Sequence, residues 1–247
     1  TGGGQSGYYG GAGIGGGTSK SANGGSSGAI IIYDGTVTAN SGAGDATGAG
    51  IGGGGSGQGS GGSGNDITIY GGSVTASSTG TGTGGAGIGG GGGLTGGGAG
   101  NNIQIYGGTI NATGSNRGAG IGGGGSVTIY DSSYKAGDGA ITISGGEVTA
   151  VGGDYAAGIG GGGGYQNTYG GCTGGTGSVT INGGIVDASS PTDVYYANYK
   201  GAPIGNGGNA SGGSVEKTTG IVFENGVGTV CGNVTFDGSY PVPADYT

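Results

Sequence analysis

One segment constrains this chain more than any other, because the rest is built from copies of it: Ile67-Thr68-Ile69-Tyr70-Gly71-Gly72-Ser73-Val74-Thr75-Ala76, followed by Ala86-Gly87-Ile88-Gly89. Apolar and polar residues alternate with period two on either side of a Gly-Gly break, which predicts two short strands joined by a sharp turn. Ala86 and Ile88 add a third apolar pair. The copies recur about every 37 residues: the first-strand position reads Ile30, Ile67, Ile103, Ile141, Val179 and Ile221, and the third reads Ile14, Ile51, Ile88, Ile121, Ile159 and Ile204. The middle strand gives Val37, Val74, Ile110, Val148 and Val186, with Ala39, Ala76, Ala112, Ala150 and Ala188 two places later. A fixed period of this length is the mark of a solenoid, in which each unit buries its apolar face only by stacking on the next.

The reading is therefore all-β: a right-handed parallel β-helix of about six repeats, the handedness following from the preference of parallel crossovers. Residues 1–11 read as a partial Gly-rich loop, 12–238 as the β-helix with atypical capping repeats over 190–238, and 239–247 as an extended tail. Phe223 and Phe236 suit an end cap, since terminal repeats of a solenoid must cover an exposed face. The segment from Val127 to Ala136 imitates two strands but replaces a loop without adding a repeat. A single coil of about 37 residues with one long outgrown loop is favoured over two coils of about 18.

Glycine accounts for 82 of the 247 residues, yet 4 prolines and the lack of a triplet pattern exclude collagen. Charged residues are only 7 %, against an open, self-repelling chain. Ordering a residue costs about 1–2 kcal/mol, and more for glycine, whereas a buried Ile or Val returns about 1.5–3 kcal/mol. Loose glycine loops would lose that balance, so the runs are expected to be stacked and hydrogen-bonded from rung to rung. The net charge of −8 excludes phosphate neutralisation and hence nucleic acid as a partner; no apolar stretch is long enough for membrane insertion. Opening partway through a repeat and without Met, the chain reads as a mature product or a piece of something longer.

Histidine, Trp and Met are absent, which removes imidazole triads and imidazole metal sites. Asp34, Asp131, Glu147, Asp187 and Asp237 share no column, and Lys20, Arg117, Lys135, Lys200 and Lys217 are scattered, so neither the carboxylate pair of a glycosidase nor another catalytic cluster is drawn. The chain is expected not to be an enzyme and to need no cofactor. Gly61 to Asp66 is similar to the calcium nonapeptide of RTX proteins, which makes Asp66 a weak metal candidate; Thr68 stands where that motif has an apolar residue, and the period is not nine. Cys172 and Cys231 leave both a disulfide and separate thiols open, since bridging needs Cα atoms about 4.4–6.8 Å apart.

Tyr33, Tyr70 and Tyr106 follow the first strand at one position and should stack on the outside of three consecutive rungs, before Ser144, Asn182, Glu224 and Asp237 take that place. Such a ladder can bind the apolar faces of sugars or simply brace a sheet. Outward Thr36, Thr38, Thr75, Thr142 and Thr149 form ranks similar to ice-binding faces, but Ser, Asn, Gln and Glu break them. Asn111, Asn209 and Asn233 open N-x-S/T sequons, as chance gives in so Ser/Thr-rich a chain.

The run I-T-I-Y-G-G-S-V-T-A with G-A-G-I-G-G-G-G resembles the glycine-rich repeat regions of large secreted or wall-attached surface proteins of Gram-positive bacteria, over Ala12 to about Ala188. That resemblance implies a parallel β-helix serving as an extracellular stalk, fibre or adhesin, and it carries no catalytic residues. The functional expectation is a non-catalytic structural or adhesive solenoid that self-associates head to tail or engages a glycan or host surface. The alternative is a carbohydrate-binding module centred on Tyr33, Tyr70 and Tyr106; a polysaccharide-cleaving enzyme and an ice-binding protein rank below both.

Overall fold

A computed structural model describes residues 4–5, 9–127, 133–167, 170–191, 200–208, 210, 214–217, 221–222 and 233–235. The chain winds as a right-handed parallel β-helix with five complete turns and partial turns at both ends. Three parallel sheets run along the axis. The first contains Ile30–Ile32, Gly64–Ile69, Gly100–Ile105, Gly139–Ile143, Gly177–Ile181, Ser214–Lys217 and Asn233–Thr235. The second contains Thr36–Asn40, Ser73–Ser77, Thr109–Thr113, Glu147–Val151, Gly184–Ser189 and Ile221–Val222. The third is a column of two-residue strands, Ile14–Gly15, Ile51–Gly52, Ile88–Gly89, Ile121–Gly122, Ile159–Gly160 and Ile204–Gly205.

Each repeat thus makes one coil, and the three apolar columns are its core. In the second complete turn Ile67, Ile69, Val74, Ala76 and Ile88 are all fully buried. Their pairing partners above and below are the same column members, as in Ile67↔Ile103, Val74↔Ile110 and Ile88↔Ile121. One assignment is corrected. The first-sheet partner of Val179 is Val215, while Ile221 pairs with Gly184 in the second sheet. The longer apolar run at Ile221 outweighs Val215 in the sequence because Val215 stands beside Glu216 and Lys217, yet Val215 keeps the 36-residue step that Ile221 breaks. Val234 pairs with Val215 in the first sheet.

Two glycine devices make the corners. Between the first and second sheets the second glycine of each Gly-Gly pair, such as Gly72 at φ 88° and Gly108 at φ 96°, takes a left-handed backbone that admits no ordinary side chain without strain. In the third sheet the Ala-Gly-Ile-Gly-Gly motif drives a narrow finger of chain into the core. The N–H of Ala49 donates to the carbonyl of Gly53 at 2.8 Å, and Ala86 to Gly90 likewise, while the glycine after each isoleucine sits at φ between 127° and 134°. The finger carries one isoleucine to its tip and leaves at once.

The glycine runs after that finger pack backbone against backbone. The chain leaves through Gly17, Gly54, Gly91, Gly124, Gly162 and Gly207, makes an outer loop, and returns through Gly25, Gly62, Gly98, Gly137 and Gly175. The leaving and returning limbs interleave. Gly25 donates to Gly17, Gly54 to Gly25, Gly62 to Gly54, Gly91 to Gly62, Gly98 to Gly91, and the file continues through Gly124, Gly137, Gly162 and Gly175 to Gly207. Its ten links measure 2.8 or 2.9 Å. From Gly54 onward no side chain fits between the limbs: a Cβ on Gly98 would lie 1.9 Å from the carbonyl oxygen of Gly62, and one on Gly137 1.8 Å from that of Gly98. Outer loops stack as well, through the parallel bridges Ser19↔Ser56↔Gly93↔Ser126↔Gly164 and Lys135↔Thr173. The expected rung-to-rung bonding of the glycine runs is thus present, and Lys135, at the end of the segment that imitates two strands, pairs with Thr173 in an outer loop.

Tyr9 and Gly10 pair in parallel with Ala46 and Thr47, so they occupy the loop position of the preceding turn. Among the described residues no helix is long and apolar enough to cross a membrane. The positions of Cys231, Phe223, Glu224, Phe236, Asp131, Asp237, Asn209 and the tail 239–247 lie outside the described residues.

Candidate functional site

The outer face of the first sheet ends at the tyrosine column. Alternation places Asp66, Thr68 and Tyr70 outward from one strand and Asn102, Gln104 and Tyr106 from the next, with Ile31 and Tyr33 on the first. Backbone bonds hold the tyrosines in register: the Tyr70 N–H donates to Ile32 and that of Tyr106 to Ile69, each at 2.8 Å. Ser144 and Asn182 continue the position, bonding to Ile105 and Ile143. The three candidate tyrosines are thereby brought together. Ring centroids of Tyr33 and Tyr70 are 5.2 Å apart with planes within 6°, and those of Tyr70 and Tyr106 are 5.2 Å apart within 9°. The rings stay open to solvent, at 71 %, 48 % and 47 % exposure in that order.

Beside the rings runs a polar file that sequence reasoning missed. Tyr106 Oη donates to Gln104 Oε1 at 2.6 Å, Gln104 Nε2 to Asn102 Oδ1 at 2.7 Å, and Asn102 Nδ2 to Asp66 Oδ1 at 2.7 Å. Asn101 Nδ2 donates to Asn65 Oδ1 at 3.0 Å alongside. Asp66 and Asn102 reach outward because both take a left-handed backbone, φ 50° and 54°, just before the inward isoleucine. One extra residue there relative to the next rung shifts the register between Gly100 and Ile103. Asp and Asn tolerate this conformation better than most residues, and their shared place before Ile67 and Ile103 is the signal that could have revealed it.

Other candidates are dispersed. Asp66 stands with amides, and among the described residues no three His, Cys, Asp or Glu side chains gather where they could hold a metal ion. Cys172 is buried, its Sγ accepting the N–H of Tyr165 at 3.1 Å. Arg117 is buried between the two sets of loops, donating from Nη1 to the Gly82 carbonyl at 2.9 Å and lying 4.9 Å from the Tyr165 ring centroid. Burial pulls its guanidinium below the usual range, against the opposing influence of Asp154 and neighbouring groups. Arg117 thus acts as a staple between loops. Asp138 accepts from Lys135 Nζ at 2.7 Å and from the Thr176 N–H and hydroxyl at 2.6 and 2.7 Å. Burial raises its carboxyl, but these hydrogen bonds prevail and hold it below the ordinary carboxylate range. The outward Thr38, Thr75 and Thr149 do stack in one row of the second sheet, interrupted by Asn111 and ended by Asp187.

The sequence model of a family described as Beta helix repeat matches residues 30–55, 67–92, 103–125 and 141–165. Each match opens at the first inward residue of a first-sheet strand and closes in the loop beyond the third sheet. No curated protein and no solved structure matches the chain. Repeat match, sheet register and glycine content agree on one description: the chain is a glycine-rich parallel β-helix repeat region.

Proposed function

We propose that this solenoid is a rigid, non-catalytic carrier of a carbohydrate-binding face made by Tyr33, Tyr70 and Tyr106 with the adjoining file of Gln104, Asn102 and Asp66. The observation that carries the reading is the coincidence of three exposed, near-parallel rings with a row of amide and carboxylate groups one residue pair away. Sugars need both surfaces at once, since their C–H faces pack on aromatic rings and their hydroxyls want fixed donors and acceptors. A brace alone would call for the rings but not for the amides. A glycan array with the native chain and with Tyr70→Ala tests this: binding should be present and should drop in the variant. Binding that survives the substitution unchanged removes the tyrosines from the site.

A second reading is compatible with the first and rests on the glycine file. Ten consecutive backbone bonds along the axis suit a stalk or fibre subunit, in keeping with the resemblance to secreted and wall-attached surface proteins and with an extracellular or cell-surface location. At the first turn the core columns are less covered, with Ile14 39 % exposed where Ile51 is fully buried. An open end of this kind can add strands head to tail. Electron microscopy of the purified chain distinguishes the two outcomes: filaments with a regular axial repeat support assembly, and single short rods at all concentrations rule it out.

A further inference from the structure

From the geometry of the tyrosine stack we infer the class of glycan: a neutral, extended β-1,4-linked chain lying parallel to the solenoid axis, one pyranose per tyrosine step. This inference rests on the carbohydrate reading above.

The first argument is spacing. Successive ring centroids are 5.2 Å apart, twice in a row. An equatorially linked pyranose chair, joined through O1 and O4, advances an extended chain by nearly the same distance, so the sugars and the rings stay in step over the whole ladder. Glycans that coil, such as α-1,4- or β-1,3-linked glucans, leave a straight ladder after one or two residues.

The second argument is access. Near-parallel rings whose centroids are 5.2 Å apart touch face to face, at about 3.8 Å, only when slipped sideways by about 3.5 Å, the offset geometry that aromatic pairs prefer. The stack is a staircase, and each step leaves part of one face uncovered. Tyr70, the one ring of the three with a neighbour on both sides, accordingly remains 48 % exposed inside the stack. An extended β-1,4 chain is a flat ribbon with C–H groups on its faces and hydroxyls on its edges, which is what a staircase beside a polar row accepts.

The third argument is charge. In the rungs from Ile30 to Ile181 the outward positions of the first sheet hold no Lys or Arg, and Asp66 supplies a carboxylate. A uronate polymer would meet no cation there and one like charge. Neutral hexose or N-acetylhexosamine chains meet hydroxyl, amide and carboxylate partners.

The test is calorimetric titration of the full chain with cello-, manno- and chito-oligosaccharides of two to six residues, set against laminari- and malto-oligosaccharides. At least one β-1,4 series should bind, with affinity rising steeply from dimer to trimer and flattening beyond, since three rings offer three steps. Tyr70→Ala, at an exposed site, should keep the native circular dichroism and lose at least tenfold in trimer affinity, whereas Tyr70→Phe should retain most of it. Equal binding and equal length dependence for the coiled glucans overturns the match to an extended chain and leaves the carbohydrate reading intact. Binding to none of the five series, with none on the array, overturns both.

Discussion

Gly98→Ala places one methyl group inside the glycine file. Its Cβ would stand 1.9 Å from the Gly62 carbonyl oxygen and 2.5 Å from the carbon behind it, both backbone atoms that no rotamer change can move away. Reaching even 3.0 Å requires a retreat of 1.1 Å, and the 2.9 Å bond from Gly91 to that same oxygen cannot stretch so far. The 2.8 Å bond from Gly98 to Gly91 and the 2.9 Å bond from Gly124 to Gly98 hang on the moved peptide. Two or three bonds at about 0.5–1.5 kcal/mol each and overpacking strain of about 1–3 kcal/mol oppose an unfolded-state gain of about 0.4–1 kcal/mol for replacing glycine. The net is a loss near 3–4 kcal/mol, or about 1–2 M in the urea midpoint for a slope of about 2–3 kcal/mol/M.

Gly17→Ala is the matched control. Gly17 opens the same file on the leaving limb, one turn's neck where a Cβ would meet nothing within 4 Å. It should be neutral, or stabilising by up to about 1 kcal/mol through the unfolded chain. Urea titrations of both variants and the native chain, followed by far-ultraviolet circular dichroism, decide the matter. Midpoints for Gly98→Ala and Gly17→Ala that agree within error would show the neck to be loose in solution, and the account of the glycine runs would fall.

Further outcomes follow from the core and from Asp138. Ile88→Ala, at a fully buried site, should cost about 2–5 kcal/mol; Ile14→Ala, 39 % exposed in the same column, should cost less than half as much, and equal costs by urea unfolding would mean that the first turn is covered in solution. Asp138 has its carboxyl depressed in the folded chain, so its contribution is complete above the unfolded value of about 3.9 and fades as pH falls through the lower folded value. Asp138→Asn should therefore reduce stability at neutral pH slightly, the pair with Lys135 being about half exposed, and flatten the acid limb of the stability profile. An acid limb identical to that of the native chain contradicts the assignment.

The columns were legible because burial requires period two within a strand and exact recurrence between turns, so Ile67, Val74 and Ile88 announce themselves together. Stacked glycine runs could be expected from entropy, but not their interleaving. That arrangement depends on two limbs, Gly91 and Gly98 for example, meeting half a turn out of step, and backbone packed on backbone leaves no sign in sequence beyond glycine itself. The misassigned last repeat has the opposite cause: Ile221-Val222 is the more apolar run, yet Val215 has the right distance, and register outweighs hydrophobicity. At the candidate site the tyrosines could be read from their column. The polar file could not, since Gln104, Asn102 and Asp66 are joined across rungs by side-chain bonds that a linear pattern does not encode.

The glycine file also has a polarity. In all ten links the later residue gives the N–H and the earlier one the carbonyl, so the peptide dipoles point the same way, as in one thread of an α-helix. The last carbonyl, that of Gly207, receives the Ala210 N–H at 3.2 Å, a cap of the kind that ends a helix. Each link polarises the next, so damage at one neck should weaken its neighbours, and paired substitutions in adjacent necks should depart from additivity where distant ones do not.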